Sequence, residues 1–288
     1  MLRWCSYCQQ FLGEVPDYQK LTITHGICAT CEPRALEFTG SHFKLVEFLR
    51  NIQHRLHEAG RSNDLAAADT IIETAHKANI RAVDVLIGIV APMLYQIGED
   101  WRRNVISIAE EHRFTSFCHA IFRRIEARAE VARPGSAAPG SVGPGSVGPG
   151  SVGPGSATRS QEPDVVLMNA PGNSHTLGIR ILSLWLLNKG IAVRMFDKAP
   201  PLEELIIRLV ASRTRMVLIS MALADQLASV ETIVRRIAEL PPSMRPTIII
   251  GGNAVKLGLV PAITGAELMG DISLLSLPGA PPADAGVR

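Results

Sequence analysis

Between residues 133 and 157 the chain repeats Pro-Gly-Ser-Val-Gly every five residues, starting at Pro139, Pro144 and Pro149. Such a tract has almost no side chain to bury, so the pattern predicts a flexible tether. It splits the 288 residues into folding units of different character. Before it, apolar residues recur at helical spacing. After it, short apolar runs alternate with helical stretches. The divisions expected are a cysteine-rich module over 1–34, a helical bundle over 38–131, a linker over 132–162 and an α/β domain over 163–280. A tether of this kind lets the bundle and the last domain move independently unless something holds them together.

Within the bundle segment, Phe43, Leu45, Val46, Phe48, Leu49 and Ile52 form one helical stripe, with Ser41 as N-cap and Gly60 as the stop. Asn63 or Asp64 is placed to cap a second helix carrying Leu65, Ala68, Ile71 and Ala75. A third spans about Ile80 to Ile97, with a kink expected at Pro92. A fourth starts near Ile106 and continues past Ile125. Four helices with short links favour an antiparallel bundle.

Beyond the tether, Val165–Ala170, Ile191–Phe196, Arg215–Ser220 and Thr247–Gly252 read as strands. Helices are expected over Thr176–Asn188, Pro201–Ser212, Ala224–Leu240 and, more weakly, Ala254–Leu259. The alternation implies βαβ units and a parallel, Rossmann-like sheet of flavodoxin type, on which ligands sit at the C-terminal strand ends. The fold class expected is therefore all-α plus α/β, with a small metal module in front.

Apolar residues make up 47% of the chain and charged ones 19%, which suits a protein with real cores. The formal charge is only +2 and no long Lys/Arg run occurs, so composition gives a nucleic-acid surface no support. The start, Met1-Leu-Arg-Trp-Cys, has no run of signal-peptide length, and no uninterrupted stretch reaches spanning length. A cytoplasmic protein without a membrane association is expected.

Cys5-x2-Cys8 is followed by Cys28-x2-Cys31. Each pair can place two thiolates on one ion, and a module of this size needs such a clamp. Structural zinc is the expected occupant. His25 is an alternative to one sulfur, and a redox or iron–sulfur role is the rival chemistry. The site argues for shape and docking rather than catalysis.

Two further constellations stand out. Asn173-Ser174-His175-Thr176-Leu-Gly178 joins the first α/β strand to its helix, where such sheets meet ligands. His175 there is either a metal ligand or an ordinary hydrogen-bonding residue. Trp101 precedes Glu111-His112, and an exposed Trp suggests a large apolar surface to cover. The competing reading is a bundle-cap tryptophan beside a solvated Glu-His pair. His119 reads as structural.

With these residues in place, the chain resembles the cobalamin-binding module of methionine synthase, corrinoid methyltransferase proteins and B12-dependent light-responsive regulators. The family's Asp-x-His-x-x-Gly loop resembles Asn173-x-His175-x-x-Gly178, with Asn173 in place of the aspartate. The resemblance implies that His175 is the lower cobalt ligand and that Asn173 tunes it more weakly than an aspartate does. Ser220 resembles a serine lining the buried nucleotide-tail pocket, and Gly251-Gly252 resembles the glycines that let the tail pass.

Trp101-x9-Glu111-His112 resembles the upper-face motif of B12 photoreceptors. It implies Trp101 as the upper cap, Glu111 as a polar contact and His112 as a cobalt ligand after light. The cofactors implied are adenosylcobalamin or another B12 form, and Zn2+. No helix-turn-helix precedes the bundle. The ending Thr24-His-Gly-Ile-Cys28-Ala-Thr-Cys31 resembles cysteine-rich segments beside bacterial sensory proteins. The implied role is a non-enzymatic sensor acting on a regulatory protein partner, or through homo-oligomer changes, rather than by direct DNA binding. Three alternatives remain: a corrinoid methyl carrier for a methyltransferase, a scaffolding protein with a vestigial site, to which Asn173 gives weight, and a sensor with an added bilin, for which Cys118 is a poor anchor.

Overall fold

The computed structural model describes residues 1–15, 18, 20–33, 42–131 and 163–275. Ser41, the repeat tract of the expected linker and residues 276–280 of the expected last domain lie outside the described residues.

Strands β1 (Leu2–Cys5), β2 (Phe11–Glu14) and β3 (Ile23–Gly26) form a small sheet in the order β2-β1-β3. The first pair is antiparallel and the second parallel. These strands were not expected, because each has only four residues and no clear alternation.

Helices α1 (His42–Ser62) and α2 (Leu65–Lys77) follow. The sequence stops α1 at Gly60, but the helix runs on to Ser62 and Asn63 takes the left-handed turn at φ 55°. Gly60 serves close packing instead, since a Cβ there would lie 2.5 Å from the Phe114 ring. Asp64 is the cap of α2, accepting the Ala67 N–H at 2.9 Å.

The expected third helix is a composite of α3 (Ala82–Val85), a π-helical stretch Leu86–Val90 and α4 (Ala91–Arg102). Pro92 has no N–H and its ring crowds the carbonyl four residues back, at Gly88. The wider π turn accommodates both. The run Ala82–Arg102 also has the length and apolarity to span a bilayer, which the sequence reading did not expect of any stretch. Most of it is buried inside this fold. Helix α5 (Ile108–Val131) completes the bundle. It starts on a capping box in which the Glu110 carboxylate accepts from Ser107 N and Oγ, and Glu110 N donates back to Ser107 Oγ.

The α/β part contains β4 (Val165–Asn169), α6 (Thr176–Asn188), β5 (Val193–Phe196), α7 (Leu202–Ala211), β6 (Met216–Ser220), α8 (Leu227–Ala238), β7 (Thr247–Gly251), α9 (Asn253–Lys256) and β8 (Glu267–Leu268). Every sheet pairing described is parallel, in the order β5-β4-β6-β7-β8. That is the flavodoxin-like order 2-1-3-4-5. The four expected strands are present, and β8 adds a fifth.

The bundle and the α/β domain are packed together. Leu177, Ile181 and Leu184 of α6 belong to the same buried cluster as Ile87, Phe117 and Phe122 of the bundle. Ile179 and Leu186 of the same helix face the sheet instead. Helix α6 is apolar on two sides and buries both. That shared cluster holds the bundle and the α/β domain together across the tether.

Burial lowers the His57 and His119 pKa values below the ordinary 6.5, with Arg180 and Arg123 adding to the effect at His119. A histidine held neutral in the fold contributes stability above its unfolded pKa and loses it as pH falls through the folded value. Acidification from about pH 7 to about pH 5 is thus expected to lower Tm, and less so in His57→Gln. Thermal melts of both proteins across that range check this.

Candidate functional site

The loop after β4 places Asn173 and His175 at the N-terminus of α6. Asn173 is buried. Its Nδ2 donates to Ser220 O at 3.1 Å and to Asn169 Oδ1 at 3.3 Å. Its Oδ1 accepts the His175 backbone N–H at 3.0 Å. Because a backbone N–H can only donate, that contact fixes the side-chain amide with oxygen toward His175. The His175 Nδ1 lies 3.1 Å from the same oxygen and so must carry a proton. The Nε2 lone pair is left available on an exposed imidazole. This is the arrangement that a metal-ligating histidine needs. Ser174 is exposed beside it and Thr176 opens α6.

Behind the loop, a cavity of about 150 Å3 runs between bundle and sheet. Gly178, Ser220, Gly251 and Gly252 all line it. Gly252 has φ +99°, and a Cβ there would sit 2.4 Å from Met221 O. A Cβ on Gly251 would meet Met269 O at 3.0 Å. Gly178 differs, since a Cβ there would meet nothing within 4 Å. A helical glycine costs about 1 kcal/mol against alanine, and no protein neighbour demands this one. The surface over Gly178 is open beside the His175 loop.

Trp101, Glu111 and His112 stand at one tip of the bundle. Tyr95 on α4 lines the same cavity as Gly178. Trp101 lies about 9 Å further along α4 than Tyr95. On α5, Phe122 faces Arg180, with 5.8 Å between guanidinium carbon and ring centroid. His112 lies about 15 Å before Phe122 along that helix, at the same tip.

Trp101 is 47% exposed, a large apolar surface left open at the bundle tip. Glu111 Oε1 accepts from Thr115 Oγ1 at 2.7 Å, while Oε2 lies 3.5 Å from His112 Nε2. The structure thus gathers Gly178, Ser220, Gly251 and Gly252 in one cavity and sets Trp101, Glu111 and His112 apart from it, at the bundle tip.

Three cavity residues had no local sequence signal: Glu14 on β2, Tyr95 on α4 and Lys256 on α9. They come from parts far apart in the chain. Cys118 is sealed in the bundle core, where burial pushes its thiol well above the ordinary range. It offers no accessible anchor for a second chromophore. His119 is half-buried, in line with a structural role.

The four N-terminal cysteines form the second candidate site. Cys5 ends β1, Cys8 sits in the following turn, and Cys28 and Cys31 follow β3. Their sulfurs all lie within 4.8 Å of one another, and Cys8 Sγ is 3.6 Å from Cys28 Sγ. All are free thiols. A tetrahedral ion at about 2.3 Å from each sulfur holds them about 3.8 Å apart.

Burial pushes the Cys5 thiol up, but N–H groups of Cys8, Cys28 and Tyr7 outweigh it and bring it down to about 7. Burial raises Cys8, and it pushes Cys31 up to about 11. A bound cation takes all four as thiolates and reverses those penalties. His25, the alternative ligand, is exposed on β3 and outside the four-sulfur cluster.

Residues 52–126 match a family model described as the B12 binding domain. No curated protein matches the chain in sequence. Among solved structures, the monomethylamine corrinoid protein of Methanosarcina barkeri is similar with a TM-score of 0.57 at 11% identity, over 76% of this chain and 92% of that one. A cobalamin-binding protein from Desulfitobacterium hafniense gives 0.39 at 14% identity, covering 75% and 91%. The methanol:cobalamin methyltransferase complex of Methanosarcina barkeri gives 0.33 at 13%, covering 71% and 68%. The bundle segment 52–126 is thus similar to the B12 binding domain family, and the chain shares its fold with the monomethylamine corrinoid protein.

Proposed function

We propose that this protein binds cobalamin between the bundle tip and the His175 loop and works as a non-enzymatic sensor of the upper axial ligand, with light as the signal. Bound cobalamin supplies a cobalt–carbon bond that light can break. His175 offers Nε2 from below, held by Asn173. Asn173 is neutral, so it orients the imidazole without the added basicity an aspartate gives. The tail passes over Gly178 toward Ser220 and Gly251-Gly252.

The observation that carries the sensor reading is the tip itself. A half-exposed Trp101 near the end of α4 and a Glu111–His112 pair in the first turns of α5 share the tip where those two helices connect. Trp101 would cover an organic upper ligand, so a change at that ligand would change what Trp101 touches. His112, 3.5 Å from Glu111, would offer its imidazole on the same side. Differential contact of this kind is what allows a ligand to shift a structural equilibrium.

The output is contact with a regulatory protein partner, and through it transcription, or a change in homo-oligomer state. Zinc in the four-sulfur site holds the N-terminal module in shape. Direct DNA binding is not part of this reading, and the expected compartment is the cytoplasm. The rival reading, a corrinoid carrier of methyl groups, draws on the fold shared with the monomethylamine corrinoid protein.

Illumination of purified, adenosylcobalamin-loaded protein tests the proposal. The expected result is a changed absorption spectrum together with a changed oligomeric state, the latter blunted in Trp101→Ala. A spectrum and an oligomeric state both indifferent to light, with each organic upper ligand supplied in turn, contradict photosensing. Methyl turnover with a methyltransferase in the dark supports the carrier.

A further inference from the structure

We infer that the cysteine-rich module is a wall of the cofactor cavity, so that metal at the four sulfurs and cobalamin in the cavity are coupled; this rests on the cobalamin reading above. Phe11 and Glu14 of β2 line the cavity alongside Tyr95 of the bundle and Ser220, Gly251 and Lys256 of the α/β domain. Three parts of the chain therefore close one space. Glu14 and Lys256 pair there through Oε1 and Nζ, both side chains largely buried. The Lys256 ammonium also sits 4.3 Å from the centre of the Tyr95 ring.

The other Glu14 oxygen, Oε2, is buried without a hydrogen-bond partner. An unpartnered buried acceptor carries a desolvation cost that a donor relieves. A ligand tail bearing amide N–H or ribose O–H groups supplies such a donor at this wall.

Strand β2 is fixed from both sides. Its Glu14 N–H donates to Asp271 Oδ2 at 3.0 Å. Gly13 lies against Ser273, whose Oγ would be 2.1 Å from an added Cβ. On the bundle side, the Phe11 ring lies against Gly88, where an added Cβ would sit 2.8 Å from it.

What shapes β2 itself is the sheet with β1, and β1 ends in Cys5. Cys8 stands three residues before β2. A module this small depends on its clamp, and metal binding energy becomes folding energy. An ordered module presents Glu14 to the cavity and a loosened one withdraws it. Coupling of this kind is reciprocal: each ligand raises the affinity of the other by the same factor.

The test is an absorbance titration of the full chain with cobalamin in zinc-loaded and chelator-stripped forms. Stripping is expected to weaken cobalamin binding about tenfold or more. Cobalamin is expected to strengthen zinc retention against a chromogenic chelator by the same factor. Glu14→Gln reports on the wall without touching the sulfurs. It is expected to keep its zinc yet bind cobalamin nearer to the stripped affinity. Equal cobalamin affinity in the zinc-loaded and stripped proteins overturns the coupling. No cobalamin binding even in the zinc-loaded protein defeats the cofactor reading itself, which is a different failure.

Discussion

Replacing His175 by alanine is expected to leave the fold intact and to remove the nitrogen ligand from cobalt, with a large loss of cobalamin affinity. The side chain is exposed, so its removal opens no cavity. The loop stays anchored, because Asn173 still accepts the backbone N–H of residue 175 and donates to Ser220 O. What disappears is the Nε2 lone pair. Asn173→Ala is the graded companion. It removes the acceptor that holds Nδ1–H, and loss of such a partner typically costs about 10–100-fold in metal affinity. Titration of the three proteins with cobalamin orders them: native tightest, Asn173→Ala weaker, His175→Ala weakest.

The second large effect concerns the seat of the N-terminal module. Trp4 and Phe11 pack edge to face, with ring centroids 5.5 Å apart, against the bundle at Gly88. A Cβ on Gly88 would be 2.4 Å from Trp4 Cζ2 and 2.8 Å from Phe11 Cδ2. Only a glycine admits these rings, and Gly88 lies in the π-helical stretch that precedes Pro92. Trp4 is fully buried. Its truncation to alanine is expected to cost about 3–5 kcal/mol. Gly88→Val drives two methyl groups into the same rings and is expected to undock the module. Denaturant melts measure the first change. Limited proteolysis reads the second, through faster cleavage within the module than in the native protein.

Much of this architecture could be read in the chain. Val165–Met168 is a continuous apolar run because a central parallel strand is buried on both faces. That pattern, with its helical partners, exposed four strands of the sheet. The fifth, Glu267–Leu268, is two residues long and has no pattern of its own. The sharing of α6 between two cores was legible in principle: Leu177, Ile181 and Leu184 lie on a different side from Ile179 and Leu186. The partners of the two sides lie in segments far apart in the chain, so local spacing does not name them.

The site divides in the same way. The Asn173–Gly178 loop and the paired cysteines are local, so spacing alone revealed them. The cavity wall is not local. Glu14 and Lys256 are 242 positions apart, and Tyr95 comes from a third part of the chain. No short motif records a pair that only the folded topology brings together. The amide of Asn173 is an intermediate case. Its residue type was visible, but the orientation that forces the proton onto Nδ1 depends on Ser220 and Asn169.

The central claim is that His175 Nε2 binds the cobalt of cobalamin seated in this cleft. Electron paramagnetic resonance of the protein loaded with cob(II)alamin tests it most directly, using histidine labelled isotopically at nitrogen. The account predicts superhyperfine splitting from one axial nitrogen that responds to the histidine label and vanishes in His175→Ala. Splitting that ignores the label, or that survives in His175→Ala, contradicts it.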